Sequence, residues 1–459
     1  MGKAYEQFLK EKELKTIEAG IDVERDDLNP ALFEFQKDIV KWALKKGKAA
    51  VFTDTGTGKS LMQLEFANQV IKRTGYKALI IAPLAVVKQT QKEGEKFGIP
   101  ATVIREPKQI REGINITNYE ILDHFDTSEF GCVVLDESSI LKSFTSSTRN
   151  ELIDRFQGTE YRLCCTATPS PNDHTELGNH AEFLGIMSRA EMLATYFIHD
   201  GSDTSKGRLK GYGEKKFWEW VATWAICVRN PADLGYDIAD YQLPKLNLIE
   251  HICHSEPDEY EFIAKRAETL SERREARIQS RPDRIAKAAK LIADSSEPWI
   301  VWCDYNIESK ELHEAIDGSV EVVGSDSPDF KAQTAIDFAE NKIHALVSKP
   351  SIYGFGMNFQ NCHNMIFCGI SDSYEQFYQA IRRCYRYGQQ NEVNVHIITS
   401  EKELNVLDNI KEKQAQMDAL QENMIALMKD VTMSEIKHTT RVTTEYIPRE
   451  EMEIPTWIF

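Results

Sequence analysis

Ten short apolar runs, five on each side of a long helical and polar stretch, constrain this chain more than any other feature. The first five are AAVFT (49–53), KALIIAP (77–83), GINIT (113–117), GCVVLDE (131–137) and YRLCCTAT (161–168). The second five are PWIVWCD (298–304), VEVVGS (320–325), IHALVSK (343–349), NMIFCG (364–369) and NVHIITS (394–400). Runs of this length, apolar throughout rather than alternating, fit strands buried on both faces of a parallel sheet. With helices between them they predict an α/β fold of two lobes with parallel sheets. The expected division is an N-terminal extension (1–30), a first lobe (31–185), helical insertions and an inter-lobe linker (186–297), a second lobe (298–405), and C-terminal helices with a tail (406–459). The aromatics of KFWEWVATW in the linker recur at helical spacing, which favours core packing over base stacking.

Composition narrows the function classes. At 459 residues, 42% hydrophobic and 28% charged, the chain has an ordinary globular balance with room for several cores. Its apolar runs are too short to span a bilayer and the first residues carry no signal-like segment, so a cytoplasmic protein without membrane contact is expected. Nine cysteines without a CxxC pair indicate neither a disulfide framework nor a zinc ribbon. His251, Cys253 and His254, and separately Cys362, His363 and Cys368, lack a second ligand pair nearby and read as core or edge residues. A net charge of -17 excludes coating of nucleic acid by bulk electrostatics, so any such contact is local. Basic clusters occur at Arg273 and Arg274, at Arg281 and Arg284, and at Arg382 to Arg386; the first two fit solvated helix faces equally well.

DTGTGKS follows the first strand directly and opens a helix. Gly56 and Gly58 there let backbone N–H groups surround phosphate oxygens, Lys59 reaches terminal phosphates, and Ser60 is placed to ligate magnesium. Thr53 stands where the general P-loop pattern has its first glycine. At the end of the fourth run come Asp136 and Glu137, at the carboxyl edge of the sheet where nucleotides bind in open α/β folds. Asp136 would hold magnesium and Glu137 would orient the attacking water; taken alone, Asp136 or Ser138 fits a helix cap as well. Upstream, the Gln36 amide is able to bond both donor and acceptor edges of adenine, although an isolated glutamine there is most often a surface residue.

In this order the pieces resemble helicase superfamily two, and more closely its Swi/Snf-like branch, over about residues 31–400. TATPSPNDHTELGNHAEFL is similar to the third motif of that branch, matching at Thr166, Thr168, Pro169, Asn172, Glu176 and Leu177. YGFGMNFQ resembles the fifth motif, at Gly354, Gly356 and Asn358, and QAIRRCYRYGQ the sixth. The resemblance implies two RecA-like lobes and ATP with Mg2+. It implies nucleotide contacts from Gln36, Thr55, Gly56, Thr57, Gly58, Lys59, Ser60, Gly356 and Gln379, and coupling through Thr166 and Thr168. Gln379, Arg382, Arg383 and Arg386 are spaced by three, four and seven, which predicts one face of a helix closed by Gly388. The family roles make Arg383 and Arg386 arginine fingers. Arg382 replaces a common glycine and reads as a solvated neighbour.

The function so implied is an ATP-dependent translocase of the Swi/Snf-like type acting on duplex DNA, with protein partners in replication, recombination or repair. Two alternatives stand beside it: a single-strand DNA or RNA helicase of the same superfamily, and an inactive nucleic-acid-binding clamp or recruitment module. Compactness points to a bacterial or bacteriophage source.

Overall fold

The computed structural model describes residues 20–142, 146–170, 173–200, 203–209, 213–237, 242–253, 270–354, 357–371 and 373–436. Of the positions singled out above, Asn172, His254 and Gly356, the extension up to residue 19 and the tail from residue 437 lie outside the described residues, as does the side chain of Arg273.

The first lobe is a seven-stranded sheet, every pair parallel. Its strands are β1 (Lys48–Thr53), β2 (Lys77–Ala82), β3 (Ala101–Val103), β4 (Ile114–Asn118), β5 (Phe130–Asp136), β6 (Tyr161–Thr166) and, after an antiparallel hairpin of β7 (Phe197–Asp200) and β8 (Asp203–Leu209), β9 (Ala225–Val228). The spatial order is β3-β4-β2-β5-β6-β1-β9. Alternation explains why the runs are apolar throughout. Ala49 and Val51 of β1, Ala78 and Ile80 of β2, and Cys132 and Val134 of β5 enter the core on one face. Ala50 and Phe52, Leu79 and Ile81, and Val133 and Leu135 enter the core on the other. With both faces covered, each Val, Leu, Ile or Phe buried there contributes about 1.5–3 kcal/mol.

Two helices frame the phosphate loop. Helix α1 (Glu34–Lys46) lays Phe35, Ile39, Val40 and Ala43 on the first face and stops at Gly47, whose φ of 72° no branched side chain adopts readily. Helix α2 (Lys59–Thr74) starts from Gly58. On the opposite face, α3 (Glu214–Ala222) buries Phe217, Trp218 and Trp220, with Trp224 just beyond it. These aromatics are core.

The second lobe is a six-stranded parallel sheet of β10 (Leu246–Cys253), β11 (Trp299–Trp302), β12 (Ser319–Val322), β13 (Ala345–Ser348), β14 (Asn364–Cys368) and β15 (Val393–Ser400), in the order β10-β15-β14-β11-β13-β12. The stretch 186–297 is thus shared out: β9 pairs with β1 in the first sheet and β10 with β15 in the second. Of the basic positions singled out within it, Arg274 is exposed, whereas Arg281 and Arg284 are paired. Arg284 is fully buried and donates to Glu308 at 2.5 Å, and Arg281 pairs with Glu311 at 2.7 Å. A buried guanidinium needs such a partner.

Helix α4 (Tyr374–Ile381) faces the first lobe. The last described element, α5 (Leu404–Ile436), is one continuous helix. Val406, Leu407 and Ile410 belong to the core of the second lobe, and Met424 and Met428 to that of the first. Arg229, next after β9, fastens it by donating to the Asp418 carbonyl at 2.8 Å and to Gln421 Oε1 at 3.0 Å. Among the described residues no helix is long and apolar enough to cross a membrane.

Candidate nucleotide site between the lobes

The loop between β1 and α2 is held by its own atoms. Thr57 Oγ1 donates to the Asp54 carbonyl at 2.8 Å, and Lys59 Nζ folds back onto the carbonyls of Thr53 and Asp54 at 2.8 and 3.0 Å. Gly56 and Gly58 sit at φ of 87° and 82°, and both are packed against neighbours that a Cβ would strike. At Gly58 the neighbour is Gln36 Nε2, 2.2 Å from the place a Cβ would take. Gln36 is turned inward: its Nε2 donates to the Thr57 carbonyl at 2.7 Å and its Oε1 accepts from Phe33 N–H at 2.8 Å. The amide expected to read adenine thus also ties α1 to the phosphate loop. Thr55 is buried in the loop, and Ser60 opens the first turn of α2 beside Lys59.

At the end of β5, Asp136 Oδ1 accepts from Gln63 Nε2 at 2.7 Å. Gln63 lies one turn beyond Lys59 on α2, so both face the carboxylates. Burial raises the carboxyl of Asp136, opposed by Gln63 and Lys59. Burial also raises Glu137, opposed by Lys59 and, from the other lobe, by Arg383. The Lys59 ammonium is lowered by burial and supported by Glu137, Asp54 and Asp136. Glu137 has a φ of 53°, a left-handed backbone that ordinary side chains seldom adopt and that aims its carboxylate into the crevice side of the sheet. Thr166 Oγ1 donates to Glu137 Oε2 at 3.2 Å and accepts from Thr168 N–H at 3.1 Å, so Thr166 bears directly on that carboxylate and Thr168 holds Thr166.

The second lobe supplies arginines, with a different local structure from the one its spacing predicts. Helix α4 ends at Ile381, and Arg382 to Gly388 form successive turns rather than a continued helix face. The cause is that Arg383 bonds back onto the helix end. Its Nε donates to the Gln379 carbonyl at 2.9 Å, its Nη2 to Gln379 Oε1 at 2.9 Å and its Nη1 to the Met357 carbonyl at 3.2 Å. Gly388, at φ 94°, therefore caps no helix; it lies against Gln360. Arg383 is pushed down to about 10 by burial and by Arg386, while Glu137 and Asp136 support its charge from across the crevice. Burial also lowers Arg386, whose Nε is buried with no hydrogen-bond partner, as is Gln379 Nε2.

Arg382 is not a solvated neighbour. It pairs with Asp54 of the phosphate loop at 2.8 Å, and the Tyr378 hydroxyl donates to the same carboxylate at 2.7 Å. Spacing alone could not show this, because the partner lies more than 300 positions away in sequence. Lys142 pairs with Glu375, and Tyr387 Oη donates to the Arg229 carbonyl at 3.2 Å, so four contacts close the lobes around the loop. Of the remaining positions, His251 stacks on His396 with ring nitrogens 2.9 Å apart, and Cys362 Sγ lies 3.1 Å from the Asn364 carbonyl.

Residues 35–192, the heart of the first lobe, match the family model described as SNF2-related domain. Over that stretch the chain is similar to the SNF2-related domain. A mouse (Mus musculus) protein, DNA annealing helicase and endonuclease ZRANB3, is 24% identical to this chain over 221 residues. That match covers 43% of this chain and 20% of the relative, so the chain spans about a fifth of that protein. Two solved structures are similar. The Sulfolobus solfataricus SWI2/SNF2 ATPase core in complex with dsDNA is 18% identical, with 90% of this chain and 98% of that one covered and a TM-score of 0.43. A fragment of a putative HsdR subunit of a type I restriction enzyme from Vibrio vulnificus YJ016 is 16% identical, with 81% and 64% covered and a TM-score of 0.51, a likeness of fold.

Proposed function

We propose that this Swi/Snf-like chain is an ATP-driven motor that moves along duplex DNA. The observation that carries the reading is the convergence of two charge sets on one crevice: Lys59, Asp136 and Glu137 from the first lobe, Arg383 and Arg386 from the second, with Glu137 and Arg383 in electrostatic reach of each other. Such a site is complete only when the lobes meet, which is what couples hydrolysis to motion.

The residues fit a nucleoside triphosphate with its cation. Arg386 Nε and Gln379 Nε2 are buried donors without acceptors, which phosphate or sugar oxygens would satisfy. Ser60 and Asp136 would hold the magnesium ion, which neutralises charge on the phosphates. Glu137, held by Thr166, orients and deprotonates the attacking water, and the approach of Arg383 favours the ionised carboxylate that this work needs. Closure thus readies the base. Lys59 leaves the loop carbonyls to meet the terminal phosphates, and Gln36 serves adenine from the position it now shares with Thr57.

A separate cleft of about 460 Å³ also bridges the lobes, lined by Lys88, Arg105 and Asn118 on one side and Lys331, Ser351 and Met357 on the other. The lining is mostly apolar, and Lys88 is paired with Asp329 across it, so Arg105 and Lys331, one from each lobe, are the cations that a sequence-independent grip on a phosphate backbone would use. The printed name of the mouse relative associates that protein with DNA. The deciding measurement is the ATPase rate of the chain against duplexes of increasing length. The expected result is stimulation that rises with length and then levels. Stimulation by RNA or single strands alone would replace duplex DNA as the track, and a rate indifferent to every nucleic acid would overturn the motor.

A further inference from the structure

Asp54 is the one carboxylate of the phosphate loop, and it is heavily tied. One oxygen accepts from Thr55 N–H and from the Tyr378 hydroxyl, each at 2.7 Å, and the other meets the Arg382 guanidinium at 2.8 Å. The pair is nearly dry, with side chains 12% and 15% exposed. Arg382 is also sandwiched between two rings, 5.0 Å from the centroid of Tyr378 and 5.3 Å from that of Tyr385. Such stacking removes the freedom that makes most arginine contacts weak. Asp54 belongs to the first lobe, while Arg382, Tyr378 and Tyr385 all belong to the second. Where related motifs commonly carry glycine this chain carries Arg382, and a glycine has nothing to offer Asp54.

We propose that Arg382, aided by Tyr378, is a positioning residue that docks on Asp54 and thereby sets Arg383 and Arg386 against the phosphate loop. Adjacency makes this work. The chain turns immediately after Ile381, so anchoring Arg382 on the loop sends the neighbouring Arg383 back toward Gln379 and Glu137. At the other end of the contact, Asp54 fixes the N–H of Thr55, so loop shape and lobe closure become one variable. A buried ion pair across the closed interface fixes the register in which the lobes meet, because each charge gives up its water on closing and only the matched partner compensates that loss. The inference rests on the reading of the crevice as an ATP site.

The test is a double-mutant cycle on the full chain, with ATPase measured over ATP concentration on a saturating duplex and melting temperature recorded for each variant. Arg382→Gln is expected to lower kcat at least tenfold while KM for ATP stays within threefold, since nucleotide binding resides mainly on the first lobe. Arg382→Lys should recover at least a third of the lost rate. Asp54→Asn combined with Arg382→Gln should be no slower than the worse single variant, because both remove the same contact. Tyr378→Phe removes only a hydroxyl, leaves the fold intact and should lower kcat two- to fivefold; it decides the matter if Arg382→Gln does not fold. Wild-type kcat in Arg382→Gln, losses that multiply in the double variant, or an unaltered Tyr378→Phe where that variant decides, would overturn the positioning role. A wild-type chain without ATPase would instead overturn the parent reading.

Discussion

Gly56 of the phosphate loop faces Tyr387 of the second lobe so closely that a Cβ on the glycine would lie 2.9 Å from the tyrosine backbone nitrogen and 3.3 Å from Arg386 Cβ. The loop and the arginine-bearing turns therefore meet backbone to backbone. Gly56 has two reasons to be glycine: its φ of 87° and the passage of the other lobe.

Gly56→Ala separates these from folding. The loop is at the surface of the first lobe, so the melting temperature should fall by only a few degrees. The clash with the opposing lobe should lower ATPase about a hundredfold, since an ångström of misplacement is enough for that. Steady-state kinetics beside a thermal melt reads both.

Glu137→Gln keeps the shape and removes the base. A loss of kcat of about 10²–10⁴-fold is expected, with nucleotide affinity retained. Burial raises the wild-type carboxyl, and the working form is the ionised one, so activity should be lost on acidification at a higher pH than for an ordinary carboxylate. A rate profile from pH 8 downward should show that limb in the wild type and lack it in the residual rate of the variant.

Lys59→Ala and Arg386→Ala should both abolish turnover, through different steps. Lys59 is on the lobe that carries the phosphate loop, and its loss should also weaken binding of a fluorescent ATP analogue. Arg386 arrives with the other lobe, and its loss should cost about 10³–10⁵ in rate with binding little changed. Equal weakening of binding by both would contradict the division of labour between the lobes.

His180 gives a stability prediction. It is fully buried, 3.2 Å from Ser138 Oγ and edge-on to Phe52, and burial pushes it down to about 4. An unfolded histidine takes up its proton near pH 6.5 while the folded one resists until about pH 4, so the unfolded state binds more protons in between. Stability should be complete above pH 6.5, fall as the pH drops through that window and level below it, by up to about 3 kcal/mol from this residue. Urea midpoints at pH 7 and pH 5 measure it, and His180→Gln should flatten the difference.

The sequence carried the parts of this molecule that are local. Apolar runs covered on both faces marked the strands, and a glycine pair between strand and helix marked the phosphate loop. What it hid was set by tertiary proximity. Gln63 is an unremarked helix residue until β5 brings Asp136 within 2.7 Å. The strand Ala225–Val228 sat in what read as a linker, because its partner β1 lies far back in the chain. Arg382 was misread for a third reason. Spacing of three, four and seven presumes that the helix continues, and the bonds from Arg383 to Gln379 end it.

Helix α5 leaves the second core at Ile410 and enters the first at Met424. It is a second bridge between bodies already joined by the chain running from β9 to β10. Arg229 ties the two bridges together beside β9, so a relative motion of the lobes would turn about that shared strap. A swing has a long arm and a short arm. In the proposed motor, a small closure at the phosphate loop beside this strap would become a larger travel at the far lips of the 460 Å³ cleft, so its stride would be set by the leverage of the fold as well as by the chemistry that drives it.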